Sequence, residues 1–444
     1  MIGAGAAGLA AARQLDRVGL EPVVFEAEQE IGGTWIYTEE IESDPLGIAT
    51  DRRRIHTSMY AALRTNLPRD LMAFREFPFD SRGGGEDTWP RFPPHGQVLT
   101  YLRRYAEHFG LVDRIRFASS VSRVRPERPD GTAWTIDDDE PAAWRVRIGS
   151  GREERFDAVV VCNGHYAHAE VPSLPGAGDF PGQLLHSHNY RHAEVFAGLR
   201  VALLGARASG VDLALEIADH AREVHLCARG VKARQSFGRF EGVHLQPPIT
   251  SLDAQGGVTL ADETRIGNVD ALVFCTGYAY RLPFLETGIE EHRVVSVEDN
   301  WVHPLHLDLF AARAATLGLV GLANRIIPFP QYELQSRLLA RVLAGEVEIA
   351  DRAERERAAR ERADELRRAG VAQRHFLQQG DGQFAYNERL ARLAGEEPPV
   401  PAFEEVYKAV ENARFRDPKG YRDASLPWVD AESERLAAVA GGRR

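Results

Sequence analysis

Cysteine and methionine are scarce in this chain, with three of each among 444 residues. Cys162, Cys227 and Cys275 stand far apart and form no C-x-x-C pair. That argues against a disulfide scaffold, a thiolate zinc site and a dithiol redox centre, and it fits a reducing cytoplasm. No run approaches the ~18 apolar residues of a membrane span, and no charged leader with an apolar core stands at the N-terminus, so no membrane anchor is expected. Positive charge is also short: 54 Lys and Arg face 65 Asp and Glu, for a net charge of −11. Nucleic acid is therefore not the expected partner. Neither a Ser/His/Asp constellation nor a metal-ligand cluster is evident, and no metal is assigned.

Glycine, in contrast, is abundant and placed in a pattern. The chain opens MIGAGAAGLAAARQLDRVGLEPVVFEAE, in which Gly3, Gly5 and Gly8 have the G-x-G-x-x-G spacing of a dinucleotide-binding turn. A helical pattern follows to Gly19, then the short apolar strand PVVFEAE, which ends near Glu26, 18 positions after Gly8. An acid there can hydrogen-bond ribose hydroxyls while the helix N-terminus faces a pyrophosphate. About 200 residues later the pattern recurs in LRVALLGARASGVDLALEIADHAREVHLCAR. In this second turn Gly205 and Gly210 hold the outer positions, Arg207 replaces the middle glycine, and the following strand ends at Cys227-Ala228-Arg229 instead of an acid. Loss of the acid removes repulsion with a 2′-phosphate and Arg229 can pair with it, which favours NADP. Whether Arg207 adds a second phosphate contact is left open. FDAVVVCNGHY and VDALVFCTGYAY form a second repeated pair. At 444 residues more than one core is expected, so the reading is an α/β protein with two Rossmann-like dinucleotide-binding domains and a shortened first strand.

Between the repeats lies Phe180-Pro-Gly182-Gln-Leu-Leu-His186-Ser-His-Asn-Tyr190. This resembles the F-x-G-x-x-x-H-x-x-x-Y fingerprint of flavin-containing monooxygenases. GGTW (32–35), the stretch 57–79, VFCTGY and PFPQYELQ (328–335) resemble the family's patterns in the same order, so the likeness spans almost the whole chain. Tyr190-Arg191 stands where related Baeyer–Villiger enzymes usually carry Trp followed by Pro or Asp. The resemblance implies an FAD domain from 1–166 and 279–444, with an NADP domain, 167–278, inserted. It implies that Gly3, Gly5, Ala6, Gly8 and Glu26 hold the ADP half of FAD, with Gly33, Thr34 and Trp35 along its phosphates and ribityl chain. Asn66 would be the catalytic residue beside the flavin ring, and Thr65 and Asn66 would face the nicotinamide. Gly205, Ser209, Gly210, Asp212 and Arg229 would bind NADP, Thr276 and Gly277 would approach both cofactors, and His186 and Tyr190 would shape the linker that positions NADP.

The implied activity is FAD- and NADPH-dependent oxygenation, by O2, of a soft nucleophile, an amine nitrogen or a thioether sulfur, through a C4a-hydroperoxyflavin. Baeyer–Villiger oxygenation, an uncoupled NADPH oxidase and an inactive flavoprotein scaffold remain alternatives, and a homodimer is left open. The scaffold alternative rests on the opening stretch, because only Met1 and Ile2 precede the first glycine turn. Loss of most of a central strand would expose its neighbours' backbone groups. The expectation is a native reading frame with several more apolar residues before Met1. Further along, a helix is expected over 97–109, antiparallel strands over 115–148, a helix from Glu333 and a solvated charged helix over 350–369. A strap near 396–405 and a solvated Arg/Gly-rich loop over 81–92 complete the reading.

Overall fold

Turn, helix and strand follow one another as the N-terminal spacing requires. In the computed structural model, which describes residues 1–231, 235–236, 242–285 and 289–424, the helix Ala6–Arg17 (α1) starts directly after Gly5. Its Leu9, Ala10, Ala11, Ala12 and Leu15 are buried. Alanines on that face allow close approach of the long helix that packs on it. The first sheet runs in the order Leu305–His306, Phe310–Ala311, Ala314–Leu319, Val159–Val161, Ile2, Val24–Phe25, Ile115–Arg116.

At Ile2 this sheet is continuous. Ile2 alone pairs in parallel with Phe25 on one side and Val161 on the other. Its N–H donates to Val160 O at 2.9 Å, its carbonyl accepts from Cys162 N at 2.9 Å, and Met1 O accepts from Phe25 N at 3.0 Å. The Met1 ammonium donates to Val23 O at 2.7 Å, and burial pushes it down to about 6. The neighbouring strands therefore keep their backbone partners at these positions.

The second sheet runs Gln235–Ser236, Val243–Gln246, Glu223–Cys227, Arg200–Leu204, Ala271–Phe274, Gln183–His186, parallel except for its first pair. The helix Ala208–Ala218 (α2) follows its glycine turn. In both sheets the strand before the turn lies between the strand that closes the motif and a strand that ends at a cysteine, Cys162 or Cys275.

Several sequence expectations are corrected. Ile115–Arg116 is a parallel partner of Val24–Phe25, and the antiparallel strands are Val121–Glu127, Ala143–Ile148 and Glu153–Phe156. The helix expected from Glu333 starts at Pro328 and runs to Leu343 (α3), because proline is tolerated in a first turn whose N–H groups lack helical partners anyway. This is the helix that packs on α1. The strap near 396–405 turns into the helix Ala402–Arg416. The 81–92 loop exposes Ser81 and Arg82 but buries Gly84 and Gly85; a Cβ at Gly84 would lie 2.3 Å from the Phe77 ring. The charged helix Arg352–Arg368 agrees with the expectation and is mostly solvated, with Arg355, Ala359 and Ala363 turned inward.

Candidate functional site

The two glycine turns are built as one device used twice. Gly3 and Gly205 have φ of +101° and +108°, a left-handed conformation that favours glycine. A Cβ at Gly3 would meet Cys162 O at 2.6 Å, and one at Gly205 would meet Cys275 O at 2.5 Å. A Cβ at Gly8 would lie 2.0 Å from Gly3 O, and one at Gly210 1.8 Å from Gly205 O. The ladder contacts also repeat: Gly3 N donates to Phe25 O and Gly205 N to Cys227 O, both at 2.8 Å. Each helix therefore lies tight on its turn, with N-terminal N–H groups aimed at the space above the sheet end, where an anion is favoured.

Around the first turn the structure brings together Gly3, Gly5, Ala6, Gly8, Glu26, Gly33 and Thr34. Glu26 is buried and accepts from Ala4 N at 2.5 Å and from Glu28 N at 2.9 Å. The turn Gly33–Trp35 passes so close that a Cβ at Gly33 would stand 3.1 Å from Gly5 Cα. Trp35 is half-buried, edge-on to Phe329 at 6.2 Å. Thr34 Oγ1, His95 Nδ1 and Gln97 Oε1 are buried polar atoms without a hydrogen-bond partner, and the first turn of the helix His95–His108 supplies the last two. Buried polar groups are normally paired, so this cradle fits a polar ligand that passes along it. His95 and Gln97 carried no motif in the sequence; only the packing of their helix on the Gly33–Trp35 turn reveals them.

The second turn carries the opposite electrostatics. Arg207 sits at the N-cap of α2, and burial, added to by the charges of Arg325 and Arg229, holds its guanidinium below the usual range. None of these three arginines has a carboxylate within ion-pair distance among the described residues. Arg325 reaches the site from the chain that follows Ala314–Leu319 of the first sheet. Gly380 N donates to Arg325 O at 3.1 Å, Asn324 pairs with Gln378, and Gln378 Oε1 accepts from Arg207 Nη2 at 3.3 Å. Three unneutralised cations around a helix N-terminus suit an anion with more than one charge. Ser209 is exposed at this mouth and Gly210 is buried beneath it.

Other predicted residues lie elsewhere. The Asp212 carboxylate does not turn to the glycine loop; it accepts from Arg422 Nη2 at 2.7 Å. Tyr190 is fully buried, stacked on Phe196 at 6.0 Å and edge-on to Tyr60 at 5.5 Å, so its ring joins the core against the second sheet. Buried His186 accepts at Nδ1 from His188 N at 3.1 Å, and desolvation pushes it down to about 3. Thr276 Oγ1 donates to Glu170 O, and Gly277 O accepts from Glu170 N at 3.0 Å. Thr65 is buried, its Oγ1 donating to Leu67 O at 2.8 Å, and Asn66 beside it is half-buried.

Comparison with known proteins gives the family of the chain that carries these paired turns. A family model described as flavin-binding monooxygenase-like matches residues 1–234 and 240–407. The chain belongs to this family. It is 40% identical over 436 residues, 97% of this chain and 94% of the relative, to flavin-containing monooxygenase FMO GS-OX-like 4 of Arabidopsis thaliana. The solved structure of S-allyl-L-cysteine S-oxygenase from Allium sativum superposes with a TM-score of 0.90 at 36% identity, covering 98% of both chains. Tmm from a Pelagibacter species shares the fold, with a TM-score of 0.76 at 22% identity over 96% of this chain and 92% of that one. This monooxygenase is thus an oxidoreductase of the two-domain, Rossmann-like flavin class. No helix among the described residues is long and apolar enough to cross a membrane.

Proposed function

We propose that this monooxygenase uses FAD and NADPH to oxygenate a thioether sulfur: one thioether, one O2, one NADPH and one proton give one sulfoxide, one NADP+ and one water. One observation carries the reading: the doubled glycine turn has an acid closing its first copy, and its second is fringed by arginines that have no carboxylate partner among the described residues. The first copy suits the ribose hydroxyls and pyrophosphate of FAD. The second suits the additional phosphate of NADPH. Bound flavin supplies oxygen activation and NADPH supplies the hydride; the chain's own residues bind, orient and keep out water. Glu26 and the helix α1 N-terminus would hold the ADP half, and Thr34, His95 and Gln97 would receive polar groups further along. Sulfur is favoured over nitrogen because a relative at 36% identity across 98% of both chains is named an S-oxygenase.

The test supplies the purified enzyme with NADPH, O2 and either S-allyl-L-cysteine or a tertiary amine, then quantifies sulfoxide, N-oxide and H2O2 by mass spectrometry and peroxide assay. Sulfoxide in near-equal amount to NADPH consumed is the expected result. N-oxide alone, or H2O2 as the dominant product with both substrates, would reject the sulfur reading.

Two binding predictions follow from the seats. Arg229→Ser is expected to weaken adenosine 2′,5′-bisphosphate by about 10- to 100-fold, because a charged hydrogen bond contributes about 1.5–3 kcal/mol. Affinity for 5′-AMP should change by less than about 2-fold; calorimetric titration of both ligands checks this. An equal loss for both would remove Arg229 from the 2′-phosphate. Gln97→Met is expected to raise the melting temperature of the flavin-free protein, since it deletes an unpaired buried acceptor. Flavin dissociation should become roughly 2- to 10-fold easier, for a net hydrogen bond of about 0.5–1.5 kcal/mol. Unchanged flavin affinity would show that Gln97 faces no flavin.

A further inference from the structure

We propose that Arg422 is a positioning residue that fixes the Thr65–Asn66 loop against helix α2, so that the seat of the oxygen chemistry and the seat of NADP move as one body. The proposal rests on the functional reading of these two seats. Arg422 Nη2 donates to Asp212 Oδ2 at 2.7 Å, and Nε donates to Thr65 O at 3.0 Å. Both side chains of the ion pair are largely buried, 13% and 17% exposed, so the pair is far less screened than a surface bridge. The guanidinium lies 4.9 Å from the Tyr421 ring centroid, and Tyr421 is itself buried edge-on against Phe92 at 5.4 Å. Arg64, next to Thr65, donates to both Asp423 oxygens at 2.8 and 3.0 Å. A short segment after the helix Ala402–Arg416 therefore straps the loop from one side and α2 from the other. Beside the strap lies an open cleft of about 170 Å3, lined in part by Tyr60, Ala62, Asp212, Glu216, Lys419 and Arg422. Tyr60 and Leu63 pack with Leu213 and Leu215 of α2 and Tyr60 OH donates weakly to Asp212 Oδ2 at 3.5 Å, so the shorter, forked guanidinium contacts add a second and stronger polar link at the Thr65 end of the loop. Lysine has one compact charge and cannot reproduce that fork.

The test compares Arg422→Gln, Arg422→Lys, Asp212→Asn and, as a control on the same strap, Lys419→Ala. Lys419 pairs with Asp219 at 2.6 Å with both side chains at least half exposed, so its loss is expected to change nothing measurable. In Arg422→Gln and Asp212→Asn, amide hydrogen exchange in a peptide covering 60–67 is expected to rise about tenfold while peptides of the first sheet stay protected and flavin content is unchanged. H2O2 per NADPH consumed should rise several-fold in the same variants, and Arg422→Lys should not rescue either readout. Protection at 60–67 that stays at the wild-type level, or full rescue by lysine, would overturn the latch. Exchange rising uniformly across the protein would overturn it as well, showing only global stabilisation. The milder Asp212→Asn keeps the test open if Arg422→Gln does not fold. Exchange needs no substrate, so failure of the sulfur reading would leave this readout standing.

Discussion

Gly210→Ala will leave a yellow protein that has lost tight binding of NADP+. A methyl group at Gly210 would sit 1.8 Å from the Gly205 carbonyl oxygen and 3.3 Å from Cys275 Cβ. The first contact is with main chain, and main chain that the sheet holds: Gly205 N donates to Cys227 O at 2.8 Å, and Cys275 N to Leu204 O at 2.9 Å. No rotamer relieves it, so helix α2 must lift off its turn and its N-terminal N–H groups lose their aim. Overpacking of this kind costs about 1–3 kcal/mol, which raises the Kd by roughly 10- to 100-fold. Gly8→Ala makes the same collision at the first turn, 2.0 Å from Gly3 O, and should instead lose flavin. Flavin per chain is read from the visible spectrum, and NADP+ affinity from titration calorimetry. The reverse pattern, with flavin lost in Gly210→Ala and retained in Gly8→Ala, would exchange the two seats.

The matched pair of outcomes follows from a feature visible in one dimension. The outer glycines repeat with the same spacing, a helix follows each turn, and the cysteine-ended strands VVVC and LVFC recur further along, at different distances from their turns; the two sets fold into the same local geometry. Local patterns of this kind survive because the constraint is local: a positive φ at Gly3 and a carbonyl beneath Gly8 are set by residues within one turn and its neighbouring strand. What the sequence hid depends on distant chain. Arg422 and Asp212 are 210 positions apart, and nothing near Asp212 says that its carboxylate is already engaged. Arg325 comes from chain 118 positions beyond Arg207, and Gln97 meets the first turn only through the packing of its helix on Gly33–Trp35. The register of Ile2 was equally hidden: it bridges Phe25 on one side and Val161 on the other, partners 23 and 159 positions away. Helix α3 begins ahead of Glu333 for a simpler reason: Pro328 and Pro330 sit in a first turn whose N–H groups need no helical partner.

Asn66→Ala is expected to cut oxygen transfer to substrate by about 10²–10³-fold, the range for removal of one preorganised polar group at a reacting centre, while NADPH oxidation continues and its electrons appear as H2O2. The surrounding loop is held from several sides. Thr65 N donates to Pro93 O at 3.0 Å and its Oγ1 to Leu67 O at 2.8 Å, Arg422 holds its carbonyl, and Leu67 and Pro68 are buried. Within that frame the Asn66 amide makes no side-chain hydrogen bond among the described residues. The competing role, a cap for the helical turn that follows, meets a specific objection: the turn Arg69–Met72 has Pro68 at its N-cap and no side-chain cap. A capping residue would show its loss as lower thermal stability with coupling intact. A free amide on a fixed loop would show the opposite, coupling lost at an unchanged melting temperature. Asn66→Asp separates shape from donor capacity, since the carboxylate keeps the outline of the amide and can only accept. It should therefore fail nearly as badly as alanine. Product yield per NADPH in Asn66→Ala close to wild type would remove Asn66 from the chemistry and leave the paired seats without an identified oxygen-handling side chain.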